Sequence, residues 1–535
     1  MQLAEKRMHQ LIADWVPRPY TLEERALYRQ ETHRYIALIK KLEAIQAQAA
    51  PVVNHVLEHQ LFIARVDYRV KFSRLFRIND LPTEIVCNIF RFIIWSCVDH
   101  DRSIKLRLNL TWTCRHWRKI ALEDPTLWSV IWFKDVPYFT RSLAWLERSG
   151  RTPKDIRISD WGPSGPMDVD TLSKVLDRLI PRIAEIRALV IVLRSWDTVL
   201  YTLDQLRAAR LVSSNLILER FELHRHGHAW IQPGPGYEPW KEAIPLLGGI
   251  PLPTLKSLSL SAIHVDWAAT PLSNLSCLDL RQLPLNTAPT FEQFRAILRN
   301  SPRLSKLILD SAGPSYTGRD LSVIDYPPIP LPYLTSLAMA DFKPAYGVYI
   351  LSQFDAPNIR DLTILNMGPT DDYSAFYAHM TGRMTQLRVL TLFNGNYWPG
   401  NDYLPLSERL AVVKWLESTP EVSFLRFGGL GKCFLHAFVS DPRTIVGERL
   451  YPQNRIVCPK LLYIEWQRQD PETVLQWIQH RKQIGCPVAK MYVNLDKPDR
   501  VFDPEIHRAM QASMAPGGQM LLLRPGVKAK EAGAA

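Results

Sequence analysis

Leu81–Trp95 reads LPTEIVCNIFRFIIW. The stretch predicts a helix. Pro82 suits a first turn, where its missing N–H removes no bond. Glu84 falls in the same turn, where a carboxylate favours the positive end of the dipole. At about 100° per residue, Glu84, Asn88 and Arg91 share one narrow polar stripe. Ile85, Val86, Cys87, Ile89, Phe90, Phe92, Ile93, Ile94 and Trp95 cover nearly all the rest. A helix this apolar must be covered on more than one side. A helical unit of about 50 residues is marginal in size and cannot supply all of that cover. Part of it must come from the chain that follows, or from a partner.

The answering stretch is Leu110–Phe133, LTWTCRHWRKIALEDPTLWSVIWF. Helical spacing places Leu110, Cys114, Trp117 and Ala121 on one face, with Arg115, His116, Arg118 and Lys119 mostly elsewhere. Asp124-Pro125 breaks the helix, and Leu127-Trp128 follow. The charged segment Asp99–Arg107 is expected as a long connection between the helices. Read without further context, such apolar stripes are ordinary core.

From about Ile78 to Trp132 the residues resemble the F-box. The elements occur in order: LPxEI, an IF pair, a C-R-x-W-R block, and P-x-LW. The resemblance implies docking to a Skp-type adaptor and, through it, a cullin. The positions that match the motif are Leu81, Pro82, Glu84, Ile85, Ile89 and Phe90 in the first part. Cys114, Trp117, Leu127 and Trp128 match in the second. An N-terminal helical segment ahead of an F-box also resembles a layout common in fungal F-box proteins.

The chain has 535 residues, enough for several domains or one long array. Its 65 basic and 53 acidic residues leave +12, spread along the sequence, which by itself argues only weakly for nucleic acid. Seven cysteines without a CxxC pair fit a reducing compartment, cytoplasmic or nuclear, better than a disulfide framework. The first residues, MQLAEKRMHQ, lack the apolar core of a signal peptide. No apolar run is long enough to predict a membrane span.

Residues 1–74 are expected as a helical hairpin or short coiled coil. Thr21 can cap a helix whose first turn holds Glu23 and Glu24. Tyr28, Tyr35, Leu42 and Ala49 are seven apart, with Leu38 and Ile45 as the alternating row. Pro51 interrupts, and Val52 to Ile63 suggest a second helix folding back. The seam is short, so the hairpin is preferred to a dimerising coiled coil.

Beyond the F-box segment, 75–133, one pattern recurs through 134–514: apolar, two residues, apolar, one residue, apolar. Clear copies are Leu255-Leu258-Leu260, Leu275-Leu278-Leu280, Leu304-Leu307-Leu309 and Leu334-Leu337-Met339. Ile359-Leu362-Ile364, Leu387-Leu390-Leu392, Val422-Leu425-Phe427 and Leu461-Ile464-Trp466 continue it. Weaker copies begin at Ile186, Leu218 and Val488, and Tyr138–Gly150 with Ile156 and Ile158 looks like a divergent first unit. Pro253, Pro302, Pro332, Pro357, Pro420 and Pro459 stand two residues before a triplet. There they end a helix and start an extended segment. Each unit reads as a helix feeding a short strand, with the last two apolar residues inward. One such unit cannot bury its face, so neighbours must stack. The array resembles leucine-rich repeats, although its spacing is irregular and the Asn that normally follows the strand is missing. The predicted fold class is therefore α/β: an N-terminal helical segment and a helical F-box, then an irregular leucine-rich-repeat-like solenoid. The competing fold is another parallel sheet with crossover helices.

The residues between the inward ones, Ser259, Asp279, Ile308, Ala338, Thr363, Thr391, Arg426 and Glu465, form a chemically mixed row. It offers neither a basic stripe nor an aromatic row for nucleic acid. Residues 515–535, Gly- and Ala-rich apart from the short apolar run Met520–Leu523, read as a frayed tail.

Catalytic chemistry finds no constellation. His224, His226 and His228 lack a supporting Cys or carboxylate cluster. His55 and His59 lack the Glu a zinc protease needs. Gly428–Cys433, GGLGKC, lacks the first Gly and the Ser/Thr of a phosphate loop. Asp371-Asp372 reads as a helix cap. No cofactor and no metal are expected. The expected function is a non-catalytic substrate-recognition subunit of an SCF-type ubiquitin ligase, whose repeats hold an unknown target protein. The alternative is a protein-interaction scaffold uncoupled from ubiquitylation.

Overall fold

The computed structural model describes residues 20–49, 54–75, 78, 81–97, 99–160, 165–207, 216–226, 243–284, 286–316, 326–368, 371–395, 404–444, 448–452, 455–494 and 503–523. The described residues up to 129, with 146–150, group into one compact unit, and the described residues of 130–145 and from 151 onward into a second.

The first unit begins with a helical hairpin, α1 (Leu22–Ala49) and α2 (His55–Leu75). Thr21 and Glu24 close a reciprocal cap on α1, at 2.8 and 3.2 Å. The Asn54 side chain accepts from the Val56 and Leu57 amides at the start of α2. Leu42, Leu57, Leu61 and Ala64 bury together with Ile39 against them. Glu43–Arg65 and Glu31–Lys71 bridge the helices at 2.8 and 2.7 Å. The seam differs from the expected one. Leu38 and Ile45 are 43% and 42% exposed, whereas Thr32 is buried. A hairpin partner lies on one side, and the row that follows Tyr28 and Tyr35 by four residues, Thr32 and Ile39, faces it.

Three helices follow: α3 (Thr83–Trp95), α4 (His100–Thr113) and α5 (Arg115–Glu123). The connection expected at Asp99–Arg107 is instead the start of α4. Asp99 caps it, accepting from the Asp101 and Arg102 amides. Ile104 and Leu110 are buried along it despite the charges around them. Cys114 is extended and ends α4, so Leu110–Ala121 is not one helix; its sulfur accepts from the Trp117 amide and caps α5.

The second unit contains a fourteen-stranded sheet among the described residues. Its strands are β1 (Val130–Phe133), β2 (Lys154–Ser159), β3 (Ile186–Leu193), β4 (Arg220–Arg225), β5 (Ser257–Ser261), β6 (Cys277–Arg281) and β7 (Lys306–Asp310). They continue as β8 (Ser336–Ala340), β9 (Asp361–Met367), β10 (Val389–Gly395), β11 (Phe424–Gly428), β12 (Tyr463–Gln467), β13 (Lys490–Asn494) and β14 (Gln519–Leu523). Each strand pairs in parallel with its predecessor in sequence. Every triplet named above contributes its last two residues to one of these strands. Leu258, Leu278, Leu307, Leu337, Leu362, Leu390, Leu425 and Ile464 stand in one register row. All are buried. Burial of each such side chain contributes about 1.5–3 kcal/mol.

Two strands lie outside the predicted array. Val130–Phe133 belongs to the sheet as its first strand, although its residues follow the P-x-LW element directly. Gln519–Leu523 belongs to it as the last, not to a frayed tail; the rest of that tail, 524–535, lies outside the described residues.

Helices α6 (Thr140–Arg148), α7 (Val169–Leu179) and α8 (Trp196–Arg207) alternate with the early strands. Later come α9 (Phe291–Arg299), α10 (Pro344–Ser352), α11 (Ser374–Met380), α12 (Leu406–Glu417), α13 (Lys432–His436), α14 (Pro471–Gln483) and α15 (Pro504–Ser513). Not every unit has one: β5 passes to β6 without a helix, through turns and an isolated bridge of Val265 to Ile244. The six prolines preceding triplets occupy turns that lead into the strands.

Strands β5 to β12 share an ending that the sequence did not reveal. Ala262, Gln282, Ser311, Asp341, Asn366, Asn394, Gly429 and Arg468 all have φ between 47° and 61°. The Asn394 amide donates to Asn366 at 2.7 Å, and Asn366 donates to Asp341 at 3.0 Å. A short amide ladder thus occupies the place where the repeat asparagine was expected and not found.

Between α13 and α14, His436 and His480 face each other with ring centroids 5.3 Å apart. Burial, then His480 and Lys432, push the His436 imidazole down to about 4. Burial also lowers His480. A histidine held neutral in the fold takes up its proton only in the unfolded chain. Stability is therefore full above the ordinary value of 6.5 and falls as pH drops from there toward about 4. Melting temperature followed against pH checks this: His436→Leu should flatten the decline, and an unchanged slope would contradict it.

Candidate functional site: a helical face and an open sheet face

The core of α3–α5 fixes what its surface can present. Val86, Phe90 and Ile94 point inward along α3. The Phe90 ring meets Trp117 at 5.0 Å between centroids. Pro125–Trp128 forms a single tight turn capped by Asp124, with Leu127 and Trp128 buried. Trp128 Nε1 donates to the Ala121 carbonyl at 2.7 Å. Arg91 ties the two ends together. Its guanidinium donates to Asp124 and to Thr126 Oγ1, both at 3.0 Å. The Asp124 side chain is 4% exposed and carries this bond as well as the cap.

The ten motif residues therefore divide. Phe90, Leu127 and Trp128 are interior. Trp117 and Cys114 are half-buried, the first against Phe90 and the second engaged as a cap. Pro82, Glu84 and Ile85 are exposed, and Leu81 and Ile89 partly so. Ile85, Ile89 and Phe92, at i, i+4 and i+7, form an apolar stripe on α3. Phe92 is 74% exposed and was not among the motif positions. Trp95 and Trp112 are likewise exposed, at 55% and 67%. The signal was present in the near-continuous apolarity of Ile85–Trp95, which did not say which side was left open.

In the second unit, the residues between the buried rows share the other side of the sheet. Ser259, Asp279, Ile308, Ala338, Thr363, Thr391, Arg426 and Glu465 stand side by side in register. Charges along this face are largely paired. Arg281 grips Asp279 through two bonds of 2.8 and 2.9 Å. Arg426 bonds Glu465 at 3.2 Å. Burial, then the neighbouring Asp341 carboxylate, push the Asp310 carboxyl above its usual range. Aromatic rings gather at the end of the middle row: Phe424 stacks near its register partner Tyr463 and near Tyr492, which continues that row beyond Glu465, at 6.4 and 6.1 Å. Reading one residue per strand as far as Glu465 missed this cluster because Phe424 and Tyr463 share a neighbouring register row and Tyr492 lies on the next strand.

The face carries a cleft of about 570 Å³ over β6–β13. Among the described residues, no group of three or more His, Cys, Asp or Glu side chains could hold a metal ion. His224 instead bonds Ser259 at 2.8 Å, with its imidazole lowered by burial. His228 lies outside the described residues. The N-cap of α11 is Tyr373 and not the Asp pair; Asp372, one residue before it, accepts from the Ser374 amide. No described helix is long and apolar enough to cross a membrane.

Residues 78–134 match the F-box-like family. No curated protein matches the chain. The matched segment contains α3, α4, α5 and the Pro125–Trp128 turn. An F-box-like domain suggests a role in binding the adaptor of SCF-type ubiquitin ligases.

Asp124→Ala removes both the Arg91 bond and the turn cap. It should cost about 2–3 kcal/mol, read as a lower urea midpoint of the first unit by tryptophan fluorescence. A midpoint unchanged from the parent would show that the bond does not hold the turn.

Proposed function

We propose that the protein is the substrate-recognition subunit of an SCF-type ubiquitin ligase. The observation that carries the reading is the exposed stripe Ile85-Ile89-Phe92 on an F-box-like helix whose opposite side, Val86, Phe90 and Ile94, is closed. An apolar row left at the surface of a helix is the form in which a helix meets a partner groove. Leu81, Pro82 and Glu84 extend the same contact, and the Skp-type adaptor links the protein to a cullin.

The second unit holds the target. We read β1–β14 as units of an irregular leucine-rich-repeat-like solenoid. The reading is supported by sequential parallel pairing and by the shared left-handed strand ends. The open face of the sheet is the target-binding surface. Its paired charges favour a protein over nucleic acid, which needs uncommitted cations along its backbone. The protein does no bond chemistry itself. Holding a target beside the ubiquitin-carrying enzyme raises the effective concentration of target lysines.

Adaptor capture by the purified full chain tests this directly. Ile85→Arg with Phe92→Arg should abolish capture, by about a hundredfold or more, since each change buries a charge in an apolar contact, and should leave circular dichroism unchanged. Phe90→Ala should instead destabilise the first unit by about 3–5 kcal/mol. Full capture by the folded double variant would overturn the docking surface. Capture with no target ubiquitylated would favour the uncoupled scaffold.

A further inference from the structure

The cleft over β6–β13 is floored by small side chains. Ala338, Thr363 and Thr391 form the floor on adjacent strands. Its volume, about 570 Å³, is that of a site for a small molecule or a few residues, and far more than one ion needs.

Its charges cancel. Arg281, Lys306 and Arg426 line it together with Asp310, Asp361 and Glu465. Two of the cations are already committed, Arg281 to Asp279 and Arg426 to Glu465. Lys306 is exposed and can offer one charge, so a phosphate held between two cations would still have to draw Arg281 or Arg426 away. Glu465, only 6% exposed, would then be left buried without its counter-charge. A cationic occupant would face the same competition from Arg281 beside Asp310.

The remaining surface suits an uncharged chain. Leu365 and Phe393 make an apolar lip along the strand ends. The Phe393 ring lies over Gly428, where a Cβ would come within 2.8 Å of it. The Thr363 and Thr391 hydroxyls have no hydrogen-bond partner among the described residues and stand on neighbouring strands. On strands about 4.8 Å apart, two such groups can each bond one polar atom of a main chain laid across them.

We propose that this cleft binds an unmodified, uncharged, extended protein segment, which seats one large apolar side chain against Leu365 and Phe393 and hydrogen-bonds through its main chain to Thr363 and Thr391. The inference rests on the open sheet face being the target-binding surface.

Unmodified random peptides displayed on phage, panned against the purified full chain, test it. The enriched sequences should share a Leu, Met, Phe or Trp flanked by uncharged residues. Ala338→Arg, which fills the floor, should abolish their binding. Thr363→Val with Thr391→Val keeps the side-chain volumes and should weaken binding about tenfold, the effect of two lost neutral hydrogen bonds. Affinity should change by less than about twofold between about 50 and about 500 mM salt, because no charge pair forms across the contact. Enrichment of acidic or basic motifs, no enrichment, or peptides that bind the Ala338→Arg chain equally well would overturn the proposal. Adaptor capture is measured on the same preparation. Peptide failure with intact capture defeats this inference alone, and capture failure with intact peptide binding defeats the receptor reading alone.

Discussion

Two buried side chains per strand, one residue apart, are the constraint on which the larger unit depends. A strand that satisfies it hides one face and leaves the other free. Because neighbouring strands are parallel and in register, the free residues also align. Thr363 lies beside Ala338 on one side and Thr391 on the other because Leu362 and Ile364 must sit beside their own counterparts. Charge pairs such as Arg426–Glu465 between β11 and β12 arise from the same alignment. The open face follows from the core.

The smaller unit is organised by a different economy. Phe90, Trp117, Leu127 and Trp128 close a core that is small for three short helices and one turn. Arg91, Asp124 and Thr126 lock its ends with bonds of 3.0 Å. Closing that core with Val86, Phe90 and Ile94 uses only one side of α3. Ile85 and Phe92 remain outside because nothing in this unit's core is left to cover them. An exposed apolar stripe here is a consequence of a core completed without it.

Much of this was legible in the sequence, and the failures have physical causes. The triplets gave the strands because alternation is a strong local signal, and Thr21–Glu24 gave the first cap. The charged run Asp99–Arg107 concealed a helix, because Asp99 was counted as a loop residue when it is a cap. Cys114 interrupted a helical face that spacing alone made continuous. Val130–Phe133 and Gln519–Leu523 escaped because each was read as part of its neighbour, the Trp-rich motif or the tail. Motif matching selected Phe90, Leu127 and Trp128 together with Ile85 and missed Phe92, since a pattern records which residues recur and not which way they point. The cluster of Phe424, Tyr463 and Tyr492 depends on register between strands far apart in sequence, and no local window contains it.

Hydrogen–deuterium exchange of the full chain, with and without a purified Skp-type adaptor, tests the central claim most directly. The account predicts protection on adaptor binding across Leu81–Trp95 and the segment around Trp117, with exchange of β7–β12 unchanged. Protection spread over the open sheet face, or none in Leu81–Trp95, would contradict it.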